Sequence, residues 1–381
     1  MSASEDPIYL DHNATTPVLP EAVEAMMPYL REHFGNPSSA HVYGKRAQRA
    51  VERAREQVAS LIGCMPSEIV FTSGGTEANN LAIRGVAAAR DGRRGIISSA
   101  IEHPATAQCC QSLEQRGWSV TNVDVDEDGR VIVEQVREAI GEDTALVTVM
   151  HANNETGVIQ PVDEIAKLAH EAGASVHTDA AQSVGKVAVG VEELGVDLLS
   201  VAGHKLYAPK GVGALYIRRG TPLKPLLLGA GHEGGLRPGT ENVASIVGLG
   251  KACEYAASTL KSEGERIEGL RELLWDLLRD GIDGIKLNGH REKRLPNTLN
   301  VRFPDISGYV LLEAAPQVAA STASACHGSA LAASDVILAM GVAPEKAQGS
   351  VRLSLGRSTT REDIHRAATA LIGAWNSQAG S

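Results

Sequence analysis

Lys205 stands where an apolar run ends. Val196, Leu198, Leu199 and Val201, bounded by Gly195 and Gly203, read as an interior strand, and Val212 to Ile217 reads as a second. An amine held at a strand end and partly desolvated there has a lowered pKa, forms Schiff bases and carries protons; the alternative is an ordinary loop lysine. Ser73-Gly74-Gly75-Thr76 follows the run IVFT and opens a helical pattern. It is either an anion cradle, most simply for phosphate, or a plain turn with Thr76 as cap. Asp179 ends the run SVHTD and is followed by Ala180, Ala181 and Gln182. A carboxylate among small residues there suits the ring nitrogen of a flat cofactor, and it also suits a turn. His103, before Pro104, has the chemistry to stack on such a ring or to move protons. Asn154, in the run Asn153-Asn154-Glu155, offers an amide at another strand end. Arg352, inside a strand pattern, must meet an internal acid or a substrate carboxylate.

The elements that position these residues alternate. A helix is expected over Pro20 to His33, ended by Gly35-Asn36-Pro37, and a second, capped by Ser38 or Ser39, through about Leu61. Strands are then expected at Ile69, Ile96 to Ser99, Val120 to Val125 and Ala145 to Met150, each followed by a helical run, and at Ser175 to His177, leading into TDAAQ. This order implies parallel pairing with right-handed crossovers, and ligands bind beyond the carboxyl ends of such strands. Beyond Val243 a long helical stretch to Leu278, interrupted near Gly264, leads to strands at Thr298 to Phe303 and Val351 to Leu355 and a last helix from Arg361 to Trp375. The division expected is a large domain over 15–255 and a small α+β domain formed by 1–14 and 256–381.

The 381 residues are 43% hydrophobic and 22% charged, a globular composition too long for one core. A net charge of −10 with no sustained basic run argues against nucleic acid or an anionic membrane as partner. The start of the chain lacks the basic and apolar regions of a leader, and no long apolar span follows, so a cytoplasmic location is expected. Cys64, Cys109, Cys110, Cys253 and Cys326 form no CxxC pair, so neither a disulfide framework nor a metal site is expected.

The ordered motifs DHNATTP, FGNPSS, FTSGGTEANNLAI, EHPAT, NNETG, HTDAAQSVGK, GHKLYAPKGVGALY, RPGTEN, RLPNT, SACHG and VRLSLGR span nearly the whole chain. In them the chain resembles the cysteine desulfurases, pyridoxal-phosphate enzymes of fold type I within the class V aminotransferases, and it is also similar to the selenocysteine lyases. The resemblance implies a mainly parallel seven-stranded sheet flanked by helices and a smaller α+β domain. It implies Lys205 as the Schiff-base lysine, His103 stacked on the ring, Asp179 at the pyridine nitrogen and Gln182 at the phenolic oxygen. Gly75, Thr76 and His204 would contact the phosphate, with Thr240 arriving from the other subunit of a homodimer. Asn154 and Arg352 would hold the substrate carboxylate. Cys326, in STASACHGSALAAS, matches the persulfide-forming cysteine, with His327 beside it as a charge.

Two positions depart from the family pattern: Ala202 stands where many desulfurases have serine, and Gly234 where arginine is common. The distance from Cys326 to Ser334-Asp335-Val336 resembles the desulfurases with a long catalytic loop, which deliver sulfur to a protein acceptor. The implied reaction converts L-cysteine to L-alanine. Its rivals are a selenocysteine lyase, a pyridoxal-phosphate β-lyase for cysteine or cystine, an aminotransferase, and a non-catalytic scaffold subunit.

Overall fold

The computed structural model describes residues 6–90, 92–322 and 333–379. In chain order the elements begin with β1 (Ile8–Tyr9), α1 (Pro20–Arg31), α2 (Val42–Ile62), β2 (Ile69–Thr72), α3 (Gly75–Ala89), β3 (Gly95–Ser99), α4 (Pro104–Glu114) and β4 (Ser119–Val123). They continue with α5 (Val133–Ala139), β5 (Thr144–Thr148), α6 (Val162–Glu171), β6 (Ser175–Asp179), α7 (Val191–Leu194), β7 (Leu198–Ala202), β8 (Gly213–Ile217) and α8 (Val243–Gly281). The remainder is β9 (Lys286–Leu287), β10 (Thr298–Arg302), α9 (Gly308–Ala314), β11 (Val318–Ala319), α10 (Asp335–Ala339), α11 (Pro344–Ala347), β12 (Ser350–Ser354) and α12 (Arg361–Ala379).

Seven strands form one sheet in the order β2-β8-β7-β6-β5-β3-β4. Only β8 runs against the rest, pairing antiparallel with both β2 and β7. The sequence shows why both faces are covered. Ile69, Phe71, Ile97, Val147 and Leu199 face a core completed by α1, α2, α5, α6 and the first half of α8. Their neighbours Val70, Ile96, Leu146 and Leu198 face a second core built with α3 and α4. The carboxyl ends of β2, β3, β5, β6 and β7 therefore open on one edge of the sheet.

The sheet β12-β10-β9 carries the small domain, and β1 pairs with β11 beside it. Its core gathers Leu10, Leu274, Leu278, Val301, Phe303, Leu353 and Leu371. Helix α8 serves both domains: Leu249 and Cys253 enter the large core, Leu270 and Leu274 the small one. The segment with α10 and α11 is assigned by sequence to the small domain, but Val336, Ile337 and Ala347 pack into the large core.

Two local expectations are corrected. The second helix is capped by His41, whose Nδ1 accepts from the Gly44 amide at 3.3 Å, and not by Ser38 or Ser39. Gly264 does not interrupt α8, because one glycine costs only about 1 kcal/mol in a helix and packing against two cores outweighs it. A methyl group at Gly264 would have the Lys186 carbonyl oxygen as its nearest neighbour, at 3.9 Å. Gly264→Ala is therefore expected to stabilise the chain by about 1 kcal/mol and to raise the thermal midpoint by roughly 2 °C. A fall in the midpoint would contradict this account of α8.

Candidate active site

Five strand ends supply the site. After β2, Gly74 adopts φ +146°, and α3 begins at Gly75. A Cβ at Gly75 would lie 3.2 Å from the Ala202 Cβ, so the cradle is narrow and its lining is backbone. The first amides of a 15-residue helix face outward there. Thr76 is exposed at the same turn.

Asp179 ends β6 as a buried carboxylate. It accepts from Asn79 Nδ2 at 2.6 Å and from the Ala181 amide at 3.0 Å, both neutral donors. Behind it, His177 lies between Thr148 Oγ1 at 2.8 Å and Ser200 Oγ at 3.0 Å. Burial pushes the His177 imidazole down to about 4, so at neutral pH it is an uncharged spacer.

His103 caps α4, accepting the Ala105 amide on Nδ1 at 3.1 Å. An amide donor at Nδ1 leaves the ring proton on Nε2. Desolvation lowers the His103 pKa, Asp179 opposes the shift, and Lys205 adds to it. Neighbouring Glu102 accepts from Ser99 Oγ at 2.5 Å and from the Met150 amide at 2.8 Å. Burial pushes its carboxyl up to about 8, so it is a neutral acid at pH 7.

After β7, Lys205 Nζ donates to the carbonyls of Asn13, at 2.5 Å, and Ala14, at 2.8 Å. The turn around it is clamped by the N-terminal segment. Thr16 donates its amide and its hydroxyl to the His204 carbonyl, both at 3.0 Å, and Thr15 Oγ1 meets His204 Nδ1 at 3.1 Å. Tyr207 sits at φ +66°, a strained conformation for a non-glycine residue. It is held by Thr16 Oγ1, which accepts its amide at 2.9 Å, and by the Arg357 amide, which donates to its hydroxyl at 2.8 Å. His204 is pushed down to about 4 by desolvation and by Lys205, Lys210 and Lys186, so it is a neutral ring in this cationic setting.

Gln182 is buried, with Nε2 donating to the Asn13 carbonyl at 3.0 Å and Oε1 accepting from Lys186 Nζ at 2.8 Å. Arg352 meets the internal acid that its position allowed for: Nη2 donates to Asp11 Oδ1 at 2.6 Å, and Nη1 to the Asn154 carbonyl at 3.1 Å. Its Nε is buried with no protein partner among the described residues. Asn154 reaches this cluster through its carbonyl, which also accepts from Asn13 Nδ2 at 3.1 Å. Thr240 is exposed between β8 and α8, and no described contact brings it to Lys205. Gly234 adopts φ +63°, a conformation that favours glycine over the arginine common at that position. Cys326 and His327 lie outside the described residues.

Sequence reasoning did not single out Asp11, Asn13 or Lys186. Each sits in a turn without periodicity, and the available signal was the density of hydrogen-bonding residues in DHNATTP and the lysine closing HTDAAQSVGK.

Residues 8–367 match the aminotransferase class-V family, and the chain belongs to it. It is 47% identical over 361 residues to the cysteine desulfurase IscS of Dictyoglomus turgidum, covering 94% of this chain and 92% of that one. Over 370 residues it is 47% identical to the cysteine desulfurase IscS of Methanosarcina thermophila, covering 96% and 91%. Among solved structures, a NifS-like protein superposes with a TM-score of 0.90 at 39% identity, covering 96% of this chain and 98% of that one. SspA in complex with cysteine superposes with a TM-score of 0.80 at 38% identity, covering 91% and 98%.

The chain is thus a pyridoxal-phosphate enzyme, and its residues fit that cofactor. The glycine-lined helix start suits a phosphate. The buried carboxylate of Asp179, bonded only to neutral amides, matches a cationic ring nitrogen. Lys205 is the amine on the adjacent strand end.

The Glu102 carboxyl generates a pH prediction. Its native value of about 8 lies above the ordinary 4.5, so the native state holds a proton that the unfolded chain releases. Stability therefore falls as pH rises from 4.5 through 8, by up to about 1.4 kcal/mol per unit for this group. Glu102→Gln retains an oxygen for Ser99 and Met150 and removes this contribution. Urea unfolding between about pH 6 and 8 is expected to show a flatter decline in the variant. Parallel declines in the two proteins would contradict the assignment.

Proposed function

We propose that the chain is a cysteine desulfurase that takes sulfur from L-cysteine, releases L-alanine and holds the sulfur as a persulfide on Cys326 for a protein acceptor. The observation that carries this reading is the meeting of Lys205, Asp179, His103 and the amide end of α3 at one sheet edge, in a chain whose relatives bear that name.

Bound pyridoxal phosphate supplies an electron sink that makes the substrate Cα–H acidic. Gly75, Thr76 and His204 would hold its phosphate, Asp179 its ring nitrogen, Gln182 its phenolic oxygen and His103 its face. Lys205 takes the Cα proton and returns one. Arg352 and Asn154 orient the substrate carboxylate. Asp11 keeps the guanidinium aimed and charge-balanced, and the uncommitted Nε–H of Arg352 is a donor for the incoming group.

In the sulfur step the Cys326 thiolate attacks the substrate sulfur. An S–S bond forms, the C–S bond breaks, and its electron pair stays with carbon, which is protonated on the way to alanine. The other cysteines do not suit this role. Burial pushes Cys109 up to about 11 and Cys64, Cys110 and Cys253 up to about 12, leaving them as thiols.

The flanks of the Cys326 segment support its part. Ser321 pairs with the Arg352 backbone, its carbonyl accepting the Arg352 amide at 2.8 Å. Ser334 Oγ donates to buried Glu155, the residue after Asn154. Both flanks therefore leave from beside the carboxylate-binding residues.

Exposed Thr240 and Leu228, the latter 93% exposed, lie on one loop and support a homodimer in which Thr240 completes the other subunit's cofactor site. Among the described residues Cys64, Cys109, Cys110 and Cys253 are free, which is in keeping with a cytoplasmic location. Ala202, apolar as in selenocysteine lyases, keeps selenocysteine as an alternative substrate to be compared.

On treatment with L-cysteine, the wild type is expected to form alanine and to carry one added sulfur on Cys326 by mass spectrometry, and Cys326→Ala to lose both. Pyruvate and ammonia with no added sulfur would contradict the proposal. A kcat/KM for selenocysteine that survives Cys326→Ala while the cysteine reaction is lost would reassign the chain as a lyase.

A further inference from the structure

Lys186 has no part in the reaction as described, yet its ammonium group ends inside the active-site network. It lies in the turn that follows Asp179. Ser183 and Val184 donate their amides to the Ala180 carbonyl, at 3.1 and 3.0 Å, and Gly185 then turns the chain back at φ +78°. A Cβ at Gly185 would lie 3.3 Å from the Leu206 Cβ and 3.4 Å from the Ala256 Cβ, which pins the turn against the Lys205 segment and α8. The result aims Lys186 Nζ at two amide oxygens, Gln182 Oε1 at 2.8 Å and Asn13 Oδ1 at 3.1 Å.

Those two bonds decide how both amides face. Nζ carries donors, so the Gln182 atom beside it is the oxygen; the Asn13 carbonyl is an acceptor, so the Gln182 atom beside it is the nitrogen. A flipped Gln182 would set N–H against the N–H donors of Lys186 and oxygen against carbonyl. The same argument fixes Asn13, whose Nδ2 faces the Asn154 carbonyl and Thr298 Oγ1. The Asn13 carbonyl is also the acceptor that Lys205 Nζ uses. Lys186 thus reaches the Lys205 amine through one residue, Asn13, and Gln182 meets the same Asn13 carbonyl.

We propose that Lys186 is a positioning residue: its two hydrogen bonds lock the Gln182 amide with its N–H face toward the Asn13 carbonyl and fix Asn13, whose carbonyl holds the Lys205 amine. Gln182 Nε2 gives one hydrogen to the Asn13 carbonyl, and its second would be the donor for the phenolic oxygen of bound pyridoxal phosphate. Electrostatics agree with this placement. The charged groups that face Lys186 are Lys205 and Arg352, and together with burial they drive its pKa well below the ordinary lysine value.

The inference rests on the pyridoxal-phosphate reading of the site. Its test is a double-mutant cycle on the holoenzyme with Lys186→Met, Gln182→Ala and the double variant, read by two signals. One is the pH midpoint of the visible absorption of the bound cofactor. The other is the division of the kinetic effect between kcat and KM. Lys186→Met is expected to raise the absorption midpoint by about one unit and to lower kcat about tenfold with KM changed less than about threefold. In the Gln182→Ala background the same substitution is expected to have a smaller effect than in the wild type, because only its contact with Asn13 is left.

Fully additive effects, or an unmoved midpoint, would overturn the proposal. Should Lys186→Met fail to fold, Lys186→Gln, which keeps an N–H donor, carries the same cycle and is expected to fall between wild type and Met. Collapse of both variants would also overturn it, making Lys186 a folding residue. The absorption midpoint is independent of the sulfur chemistry. Failure of the desulfurase reading would appear separately, as wild-type enzyme that binds cofactor but forms no alanine from cysteine.

Discussion

The site depends on one buried side chain, Asn13, in which every polar atom is engaged. Its amide donates to Ser354 Oγ at 2.9 Å, and its Nδ2 to the Asn154 carbonyl at 3.1 Å and to Thr298 Oγ1 at 2.9 Å. Its Oδ1 accepts from Lys186 at 3.1 Å and from Asn297 Nδ2 at 3.0 Å. Its carbonyl accepts from Gln182 at 3.0 Å and from Lys205 at 2.5 Å. Ser354, Thr298 and Asn297 belong to the small domain, and the remaining partners line the sheet edge of the large one. Only a short amide side chain offers two donors and two lone pairs at this reach. Removing it would leave buried groups unsatisfied at about 1–3 kcal/mol each, which is why the two domains and the reacting amine keep a common geometry.

The electrostatics follow from the same arrangement. Lys205 and Lys186 converge on Asn13, Arg352 meets Asn154 beside it, and the imidazoles of His204 and His177 stay uncharged. His204 and His177 are both pushed down to about 4, so neither adds positive charge at neutral pH. The acids are partitioned. Asp11 offsets Arg352, Asp179 is held by two neutral amides, and Glu102 and Glu155 are pushed up to about 8 and about 7 by burial. A buried acid that keeps its proton contributes hydrogen bonds without adding negative charge beside the phosphate cradle.

Much of this was legible in the sequence because periodicity survives wherever a face is buried. The alternation at Ile69-Val70-Phe71 and the apolar run before Lys205 give the strands, and strand ends in a parallel sheet give the site. Thr76, His103, Asp179 and Lys205 follow from that rule. What escaped lies in segments whose order comes from hydrogen bonds to distant partners. Asn13 contacts residues more than 100 positions away, and Lys186 matters through Asn13 as well as through its neighbour Gln182, which no local pattern encodes. The continuity of α8 through Gly264 escaped for a related reason: packing against two cores outweighs a local helix-breaking signal.

The central claim is that Lys205, and no neighbouring amine, is the residue that binds the cofactor covalently. Lys186 and Lys210 are close enough in sequence and charge environment to be alternatives. Borohydride reduction of the holoenzyme followed by peptide mapping decides among them. The expected result is a pyridoxyl group on the peptide containing Lys205 and on no other lysine. A pyridoxyl group on Lys186 or Lys210, with Lys205 unmodified, would contradict the account.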